Sequence, residues 1–483
     1  MLTPSLNTLL CACVVATLAV ACGKEGQDSP STQGVDGATS TADSAAGGGG
    51  GASDFVFYVA AGEECCGEDP HPVHGVETPD GGFVLCGKII DAKGGSDGFV
   101  MKLSPPFPAK PTLLGEGATY TWSQRFGTQA GKDLANSVVA TKEGVFVVGA
   151  EQTADGSLAA SLRKYDLGSG ALVWAKTFAS PSPGTDAAYE SARLTASGDV
   201  VVGGFVNGAK GAAEGFKSYG NPTSGQGQVS LFSKVLLAAA TPPDEVTWSQ
   251  IYPKAGSIRS VIEAPGGGYA FIAPTATDVE VYQVILTDAD GATLTTTELS
   301  DHGEATDIAA LTQDGQHTGY AVSGHKHGGV GGIDGSVTKL DKTGKILWRK
   351  SVGNPVGGLG VFAGLGAGNP KLIYDECWGI QGDDKGGAVL ACGTGIEGCD
   401  GWTKGSAIHS ECVADPRQKW RGLLVGLNGE GEQLWSRTDS FPAAEGGGVA
   451  ASASEHVIRT KDGGYASVVD QDFGVGLLLI AAP

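Results

Sequence analysis

Cys65 and Cys66 stand side by side in the segment GEECCGEDPHPVHG, which also carries four carboxylates and the histidines His71 and His74. Adjacent thiols near imidazoles and carboxylates could bind a soft metal ion. They could also form a vicinal disulfide with each other. We favour a third interpretation, in which one of them pairs with Cys86 on a neighbouring strand, because disulfides are common in exported proteins.

Four other cysteines lie close together in the last third of the chain. Cys377 and Cys392 flank a turn at similar distances from its centre, so the pattern predicts a disulfide across a hairpin. Cys399 and Cys412 bracket an insertion at about residues 394–421 and are expected to staple it. Seven of the ten cysteines follow residue 22, and this odd number leaves one thiol unassigned.

Two further sets of residues could bind metal ions. His325 and His327 are separated by one residue, so an extended chain would place both rings on one side, as a metal site needs. Aspartates recur near strand starts and could form a ring that holds Ca²⁺. We favour unliganded loop histidines and turn-capping aspartates over both metal sites. The aspartates are Asp97, Asp133, Asp186, Asp307 and Asp334.

The sequence contains no catalytic constellation. It has no Gly-Lys-Ser/Thr phosphate loop, and the letters of G-x-S-x-G at 94–98 precede a strand rather than forming a strand-to-helix turn. Trp402 and Trp420 fall inside the insertion. They are suited to recognition of a sugar or a protein, or to covering a small core of the insertion itself.

Composition limits the classes of function. The net charge of -21 argues against nucleic-acid binding, since little here could neutralise a phosphate backbone. Hydrophobic residues make up 41%, enough for a large core, and the 79 glycines point to many tight turns.

The N-terminus has the features of an export signal. Residues 9–21 form an apolar run of about 13 residues, too short to span a bilayer. This run ends in Ala21-Cys22 and resembles the lipobox of bacterial lipoproteins, which implies diacylation of Cys22; a signal cleaved near Ala21 is the alternative. Residues 23–53 are rich in Gly, Ser and Ala and are expected to form a disordered tether.

A four-strand pattern recurs through residues 54–483. The first strand precedes a turn such as TPDGG at 78–82, the second follows it, the third often ends in Lys-Leu, and the fourth usually carries a tryptophan. Seven copies of the first three strands are present, and the last copy lacks the fourth. The segment DFVFYVA at 54–60 can supply it. The sequence therefore predicts an all-β, seven-bladed β-propeller of four-stranded antiparallel blades, closed by an N-terminal strand.

The repeat resembles those of secreted bacterial β-propeller lipoproteins, through its DGG-aromatic-V turn, its K-L strand and its G-x-x-x-W strand. KLDKTGKILW at 339–348 also resembles the tryptophan-docking motif of quinoprotein-type propellers. That second resemblance implies that tryptophans lock neighbouring blades together. The motif is shared by pyrroloquinoline quinone enzymes and by a scaffold lipoprotein of outer-membrane barrel assembly.

These observations favour a lipid-anchored cell-envelope propeller that binds or scaffolds an envelope protein or a glycan. We expect a monomer, attached to the membrane by its lipid alone, more often at the outer than the inner membrane. No cofactor is expected, although Ca²⁺ or a soft metal would fit the sites above. The alternatives are a quinoprotein-like oxidoreductase or polysaccharide-acting enzyme using the channel mouth, and metal capture through residues 65–74.

Overall fold

The computed structural model describes residues 55–58, 69–90, 95–107, 120–127, 131–211, 225–278, 280–327, 333–354, 359–360, 371–396, 404–414, 419–439, 451–471 and 474–481. All of these belong to one unit, Ala42–Pro483. The predicted signal peptide (1–22), the predicted tether (23–53) and the candidate residues Cys22, Cys65, Cys66, Cys399 and Trp402 lie outside the described residues, so those predictions stay predictions.

The described residues form strands β1–β29 and two short helices, arranged as a β-propeller with four-stranded antiparallel blades. Three consecutive sheets open the ring. Sheet A contains β2 (Asp69–Glu77), β3 (Phe83–Ile90), β4 (Ser96–Leu103) and β5 (Trp122–Phe126). Sheet B contains β6 (Leu134–Thr141), β7 (Gly144–Gln152), β8 (Leu158–Tyr165) and β9 (Leu172–Phe178). Sheet C contains β10 (Asp186–Leu194), β11 (Val200–Gly208), β12 (Gln226–Phe232) and β13 (Trp248–Tyr252), with helix α1 (Lys234–Ala238) before β13.

Two four-stranded sheets and one larger sheet complete the ring. Sheet D contains β14 (Ser260–Glu263), β15 (Tyr269–Pro274), β16 (Tyr282–Thr287) and β17 (Thr293–Glu298). Sheet E begins with β18 (Glu304–Gln313), β19 (Gln316–His327), β20 (Ile333–Asp341) and β21 (Ile346–Val352). It continues with β22 (Leu359–Gly360), β23 (Lys371–Gly382), β24 (Ala388–Ile396), helix α2 (Ala407–Ala414), β25 (Arg421–Leu427) and β26 (Gln433–Asp439). Sheet F contains β27 (Ser452–Arg459), β28 (Tyr465–Gln471), β29 (Gly474–Ile480) and β1 (Phe55–Tyr58).

The expectation of seven separate four-stranded sheets is corrected by sheet E. Five sheets in the described part of the chain have four strands, whereas sheet E has nine. The reason is a parallel pairing between β20 and β23, in which Ile333 lies opposite Tyr374. This one bridge joins two antiparallel sets of strands that the sequence pattern treats as separate.

The predicted closure by an N-terminal strand is found. β1 pairs antiparallel with β29, and Phe55 lies opposite Leu478. The sheet order is β1-β29-β28-β27, so β1 occupies the fourth position of sheet F. The edge that β29 would otherwise expose is thereby covered.

Lysine and tryptophan side chains connect several sets of four strands to the following set. Lys102 Nζ and Trp122 Nε1 both donate to the carbonyl of Leu167, at 3.0 and 3.1 Å. In the same way Lys339 Nζ and Trp348 Nε1 both donate to the carbonyl of Gly429, at 2.7 and 3.1 Å. The lysine of the K-L strand and the tryptophan of the fourth strand therefore share one acceptor in the following turn.

Sheet D uses a different lock, because its fourth strand has threonines where the others have tryptophan. Thr297 Oγ1 donates to the carbonyl of Gly344 at 2.7 Å. The acceptor again belongs to the turn between the third and fourth strands of the next set. The inter-blade role that the tryptophan motif implies is thus carried out by hydrogen bonds to backbone carbonyls.

Candidate functional site

A β-bulge recurs in the first strand of the repeat. The register shifts by one residue in β2, β6, β10, β18, β23 and β27, each time at an equivalent point. A bulge re-aims the side chains on either side of it. The residues just after the bulge, together with Ser260 at the start of β14, form a layer that we call the axial belt. Its members are His74, Ser137, Ser191, Ser260, Asp307, Gly379 and His456.

Hydrogen bonds link the axial belt from sheet to sheet. Ala192 N donates to Ser137 Oγ at 3.1 Å, and Val261 N donates to Ser191 Oγ at 3.3 Å. Ile380 N donates to Asp307 Oδ2 at 3.2 Å. In each case a backbone amide of one first strand reaches the belt side chain of the preceding one. The small hydroxyls of the belt are therefore explained by blade packing.

Asp307 is the most heavily bonded residue of the belt. Its fully buried carboxylate accepts from Ser260 Oγ at 2.5 Å, from Ile308 N at 3.0 Å and from Ile380 N at 3.2 Å. Arg193 Nη2 adds a fourth donor at 3.1 Å. A carboxylate that is ion-paired and bonded by backbone amides is held ionised and fixed in orientation.

Two histidines complete the charged part of the belt. The rings of His74 and His456 lie 4.1 Å apart, centroid to centroid, and His456 Nδ1 is 3.9 Å from Asp307 Oδ2. Arg193 Nη1 lies 2.7 Å from His74 Nε2. A guanidinium can only donate, so Nε2 of His74 is the acceptor of this 2.7 Å contact. Val138 N donates toward Nδ1 of the same ring at 3.3 Å, a longer contact that competes with the first because a neutral imidazole has one acceptor nitrogen.

A second group of polar residues lies where the first strands begin, and we call it the mouth cluster: Arg259, Glu304, His325, Trp378 and Trp420. Arg259 Nη1 donates to Glu304 Oε1, and His325 Nε2 lies 3.4 Å from Glu304 Oε2. The ring centroids of His325 and Trp378 are 6.4 Å apart, and those of Trp378 and Trp420 are 6.2 Å apart. Two residues that the sequence suggested separately, His325 and Trp420, thus flank the same tryptophan.

Ion pairing sets the protonation of the mouth cluster. Burial alone would raise the pKa of Glu304, but the neighbouring Arg259 and His325 outweigh it and lower this pKa to about 2. Burial alone would lower the pKa of His325, but its hydrogen bond to Glu304 and the charges of Glu376 and Glu304 raise it. The cluster therefore holds a carboxylate and an imidazole that is readily protonated.

Trp378 occupies the bulge position of β23 and differs from its equivalents. At that position Asn136 donates to the Tyr189 carbonyl at 3.0 Å, and Thr306 donates to the Cys377 carbonyl at 2.9 Å. The Nε1–H of Trp378 is buried and has no hydrogen-bond partner among the described residues. Its ring packs against Trp420, which lies over Gly393 and Gly395 of β24.

Asp375 is a buried carboxyl group on β23, three residues before Trp378. Neither oxygen has a hydrogen bond of good geometry within the described part of the chain. Burial raises its pKa to about 7, with the charge of Asp334 adding to the shift and Thr394 and the Asn354 backbone opposing it.

The cysteine predictions are partly tested. Cys377 and Cys392 form the predicted disulfide, as register partners on β23 and β24. Cys412 is buried and disulfide-bonded, while its predicted partner Cys399 lies outside the described residues. Cys86 is fully buried in the core between sheets A and B. Its predicted pairing with Cys65 or Cys66 stays a prediction, because those two residues are not described.

The predicted metal residues are not brought together by the described part of the chain. His71 Nδ1 lies 2.8 Å from Asp470 Oδ2 on sheet F, whereas His74 belongs to the belt. His325 lies in the mouth cluster, and for His327 only the backbone of β19 is described. No group of three His, Cys, Asp or Glu residues suited to a metal ion occurs among the described residues.

The recurring aspartates behave largely as caps. Asp186 accepts from Leu158 N and Gly211 N, both at 2.8 Å, and Asp133 accepts from Gln152 N at 3.1 Å. Asp97 pairs with Arg125 at 2.5 Å. Asp307 is the exception, since it lies in the belt. Sequence reasoning missed Arg193, Ser260 and His456, although an alignment of the first strands places Arg193 where most copies have an apolar residue.

Comparisons with known proteins give structural similarities at low sequence identity. No family profile and no curated protein matches the sequence. Solved structures with related coordinates include the WD40 domain of Neurospora crassa Pan2, at 10% identity and a TM-score of 0.45, covering 86% of this chain and 90% of that one. Another is the quinohemoprotein alcohol dehydrogenase of Comamonas testosteroni, at 13% identity and a TM-score of 0.38, covering 86% of this chain and 75% of that one. A third is a protein of unknown function from Bacteroides caccae, at 14% identity and a TM-score of 0.36, covering 71% of this chain and 90% of that one. Similarities this weak carry no functional argument.

The described residues contain no helix that is long and apolar enough to cross a membrane.

Proposed function

We propose that this protein is a binding or scaffolding propeller of the bacterial cell envelope, and that its ligand is a glycan held at the mouth cluster. The observation that carries the proposal is Trp378. It is a nearly buried indole whose Nε1–H has no partner among the described residues, and it packs against the half-buried Trp420. Buried donors are almost always satisfied, so one without a partner among the described residues calls for a further acceptor.

The chemistry of the mouth cluster fits a sugar. Tryptophan combines a large apolar face with one polar N–H, which suits the apolar face and the hydroxyl groups of a pyranose ring. Glu304 is ionised and partly exposed, so it can accept from a hydroxyl, and His325 beside it can donate. A few polar groups around an aromatic surface are the usual composition of a small-molecule site.

The axial belt supports a binding role over an enzyme in the channel. Asp307 already accepts from four donors, and His74 Nε2 accepts from Arg193. A general acid or base must be within reach of a substrate proton, and these groups are occupied by one another. The belt therefore serves as a rigid hub on which the rim is built.

We infer in addition that the ring has seven blades. Within sheet E, β18–β21 and β23–β26 are two four-stranded antiparallel sets. They are joined by the single parallel bridge between Ile333 and Tyr374. Counting these sets as two blades, with sheets A, B, C, D and F, gives the number that the repeat predicts.

The export and anchoring proposals rest on the sequence alone. The apolar run at 9–21, the lipobox-like Ala21-Cys22 and the polar stretch 23–53 support a lipid-anchored protein. Incorporation of radiolabelled palmitate by the full chain, and its loss in Cys22→Ser, would support lipidation. Labelling that persists in Cys22→Ser would contradict it.

The glycan proposal is tested by affinity electrophoresis and calorimetry with purified envelope polysaccharides and peptidoglycan fragments. Trp420→Ala is expected to weaken binding at least tenfold, and Trp378→Phe, which keeps the ring and removes the N–H, severalfold. Tyr120→Ala is the matched control, because Tyr120 is an exposed aromatic outside the cluster. Equal binding by Trp420→Ala and the wild type would overturn the proposal, as would retention of an envelope protein in place of every glycan.

A further inference from the structure

Arg193 lies two residues beyond the axial belt, in a layer that is otherwise nearly apolar. Strand register defines this layer, since each member lies two positions after the belt residue of its own first strand. Five of the seven members are aliphatic, and the two polar ones are Arg193 of sheet C and Gln381 of sheet E. The aliphatic members are Val76, Val139, Ile262, Ala309 and Ile458.

The guanidinium of Arg193 is fixed by hydrogen bonds that do not occupy all of its N–H donors. Its Nη1 donates to His74 Nε2 at 2.7 Å and to the Ala192 carbonyl at 3.0 Å, and its Nη2 donates to Asp307 Oδ1 at 3.1 Å. A guanidinium carries five N–H groups, so the Nε–H and one Nη2–H remain without a partner among the described residues. The side chain is 21% exposed, so part of it is in contact with solvent.

The remaining donors suit a planar anion. Carboxylates accept parallel hydrogen bonds from one edge of a guanidinium, and a fixed guanidinium loses little side-chain entropy when it binds. Gln381 occupies the equivalent position on β23, is half-buried and can offer an amide N–H. Arg193 is therefore prepositioned by His74 and Asp307, with a second polar group in the same layer.

The charges near Arg193 and the apolar residues of its layer limit the class of ligand that could bind there. Asp307 already balances one unit of charge at Arg193, and the whole chain carries a net charge of -21, so a polyanion would be repelled. Val76 and Ile262 are half-buried members of the same layer; each packs partly against the core of neighbouring sheets and keeps its remaining apolar surface exposed. We propose that the axial channel binds a small monocarboxylate with an apolar body, its carboxylate on Arg193 and its apolar part against this layer.

Isothermal titration calorimetry of the full chain tests the proposal, with butyrate and benzoate as probes and butyramide as the uncharged match. Succinate and inorganic phosphate test the preference for a single planar charge. We expect saturable binding of the two monocarboxylates, no binding of butyramide, and weaker binding of succinate and phosphate. Absence of saturable binding up to about 10 mM would overturn the proposal, as would tighter binding of phosphate.

Variants connect binding to the residues. Arg193→Lys keeps the charge and the pairing with Asp307 but removes the planar fork, and is expected to weaken benzoate binding at least tenfold. Gln381→Leu does not change the belt residues and should weaken benzoate binding severalfold. Arg437→Gln on β26 should leave benzoate binding unchanged. Thermal unfolding of each variant confirms that it is folded. Folded Arg193→Lys and Gln381→Leu proteins that bind benzoate as the wild type does would refute the site.

Discussion

The axial belt and Trp378 of the mouth cluster lie at the same bulge of the first strand but differ in their hydrogen bonding. In the belt, hydroxyls and a carboxylate accept hydrogen bonds from other first strands, and Asp307 accepts four in all, one of them from Ile308 on its own strand. At the mouth, Trp378 stands at the position where Asn136 and Thr306 bond the next first strand, and its Nε1–H makes no such bond among the described residues. The comparison separates positions that bond other first strands from a position where the bulge residue makes no such bond within the described residues.

The strongest test of this difference is removal of the belt carboxylate. Asp307→Ala leaves Arg193 without its counter-ion and two backbone amides without an acceptor. We expect a loss of about 3–5 kcal/mol in the free energy of unfolding, measured by urea denaturation. Asp341→Asn, at an exposed turn cap, should cost about 1 kcal/mol or less. A small effect of Asp307→Ala would show that the belt is not the hub.

Asp375 should behave in the opposite way, because its burial disfavours the charged form. Below pH 3.8 both folded and unfolded states hold the proton; between pH 3.8 and about 7 only the folded state does, so the free energy of unfolding falls as pH rises. Above pH 7 the loss is complete, on the order of 2–4 kcal/mol.

Asp375→Asn should therefore stabilise the protein at pH 8 and flatten the pH dependence between 4 and 7. Thermal unfolding across this pH range is the measurement. A destabilised Asp375→Asn protein at pH 8 would mean that the carboxylate has a stabilising partner.

The disulfide on the same strand should have a moderate effect. Cys377 and Cys392 are separated by 15 residues, and a cross-link closing a loop of this size contributes about 3 kcal/mol in the chain-entropy description. The double variant Cys377→Ala/Cys392→Ala is expected to lose about 2–3 kcal/mol by denaturant unfolding. In the wild type, a reducing agent should produce at least this loss, because it also reduces the disulfide of Cys412, and no loss in the double variant would contradict the prediction.

The smallest expected changes in stability come from two variants at the bulge position of different first strands, which can be compared directly. Thr306→Val leaves the Cys377 carbonyl without its donor and should cost about 1–2 kcal/mol. Trp378→Phe removes a donor that has no partner among the described residues, so stability should change by less than about 1 kcal/mol in either direction. Similar losses in both variants would show that Trp378 is bonded in solution.

The fold was largely predictable because its signals are local. Alternating strands, DGG turns and the cysteine spacing specify hairpins, and the offset of the repeat specifies closure by β1. The bulge was not predictable, because one inserted residue changes the alternation inside a strand that still looks regular. His74 and Asp307 were considered as metal ligands in the sequence. That both contact Arg193 depends on how the sheets are arranged around the ring, which the local sequence pattern does not specify. The merging of sheet E depends on one bridge, between Ile333 and Tyr374, that no motif marks.

The pairing of β1 with β29 also sets an order of assembly. The strand made first must wait for the strand made last, so a growing chain can complete sheets A to E while sheet F stays open. This contact is among the most non-local in the chain, and such contacts form slowly. Removal of either β1 or β29 should therefore destabilise the same sheet F. A cut in a distant loop would leave the hydrogen bonds between β1 and β29 in place.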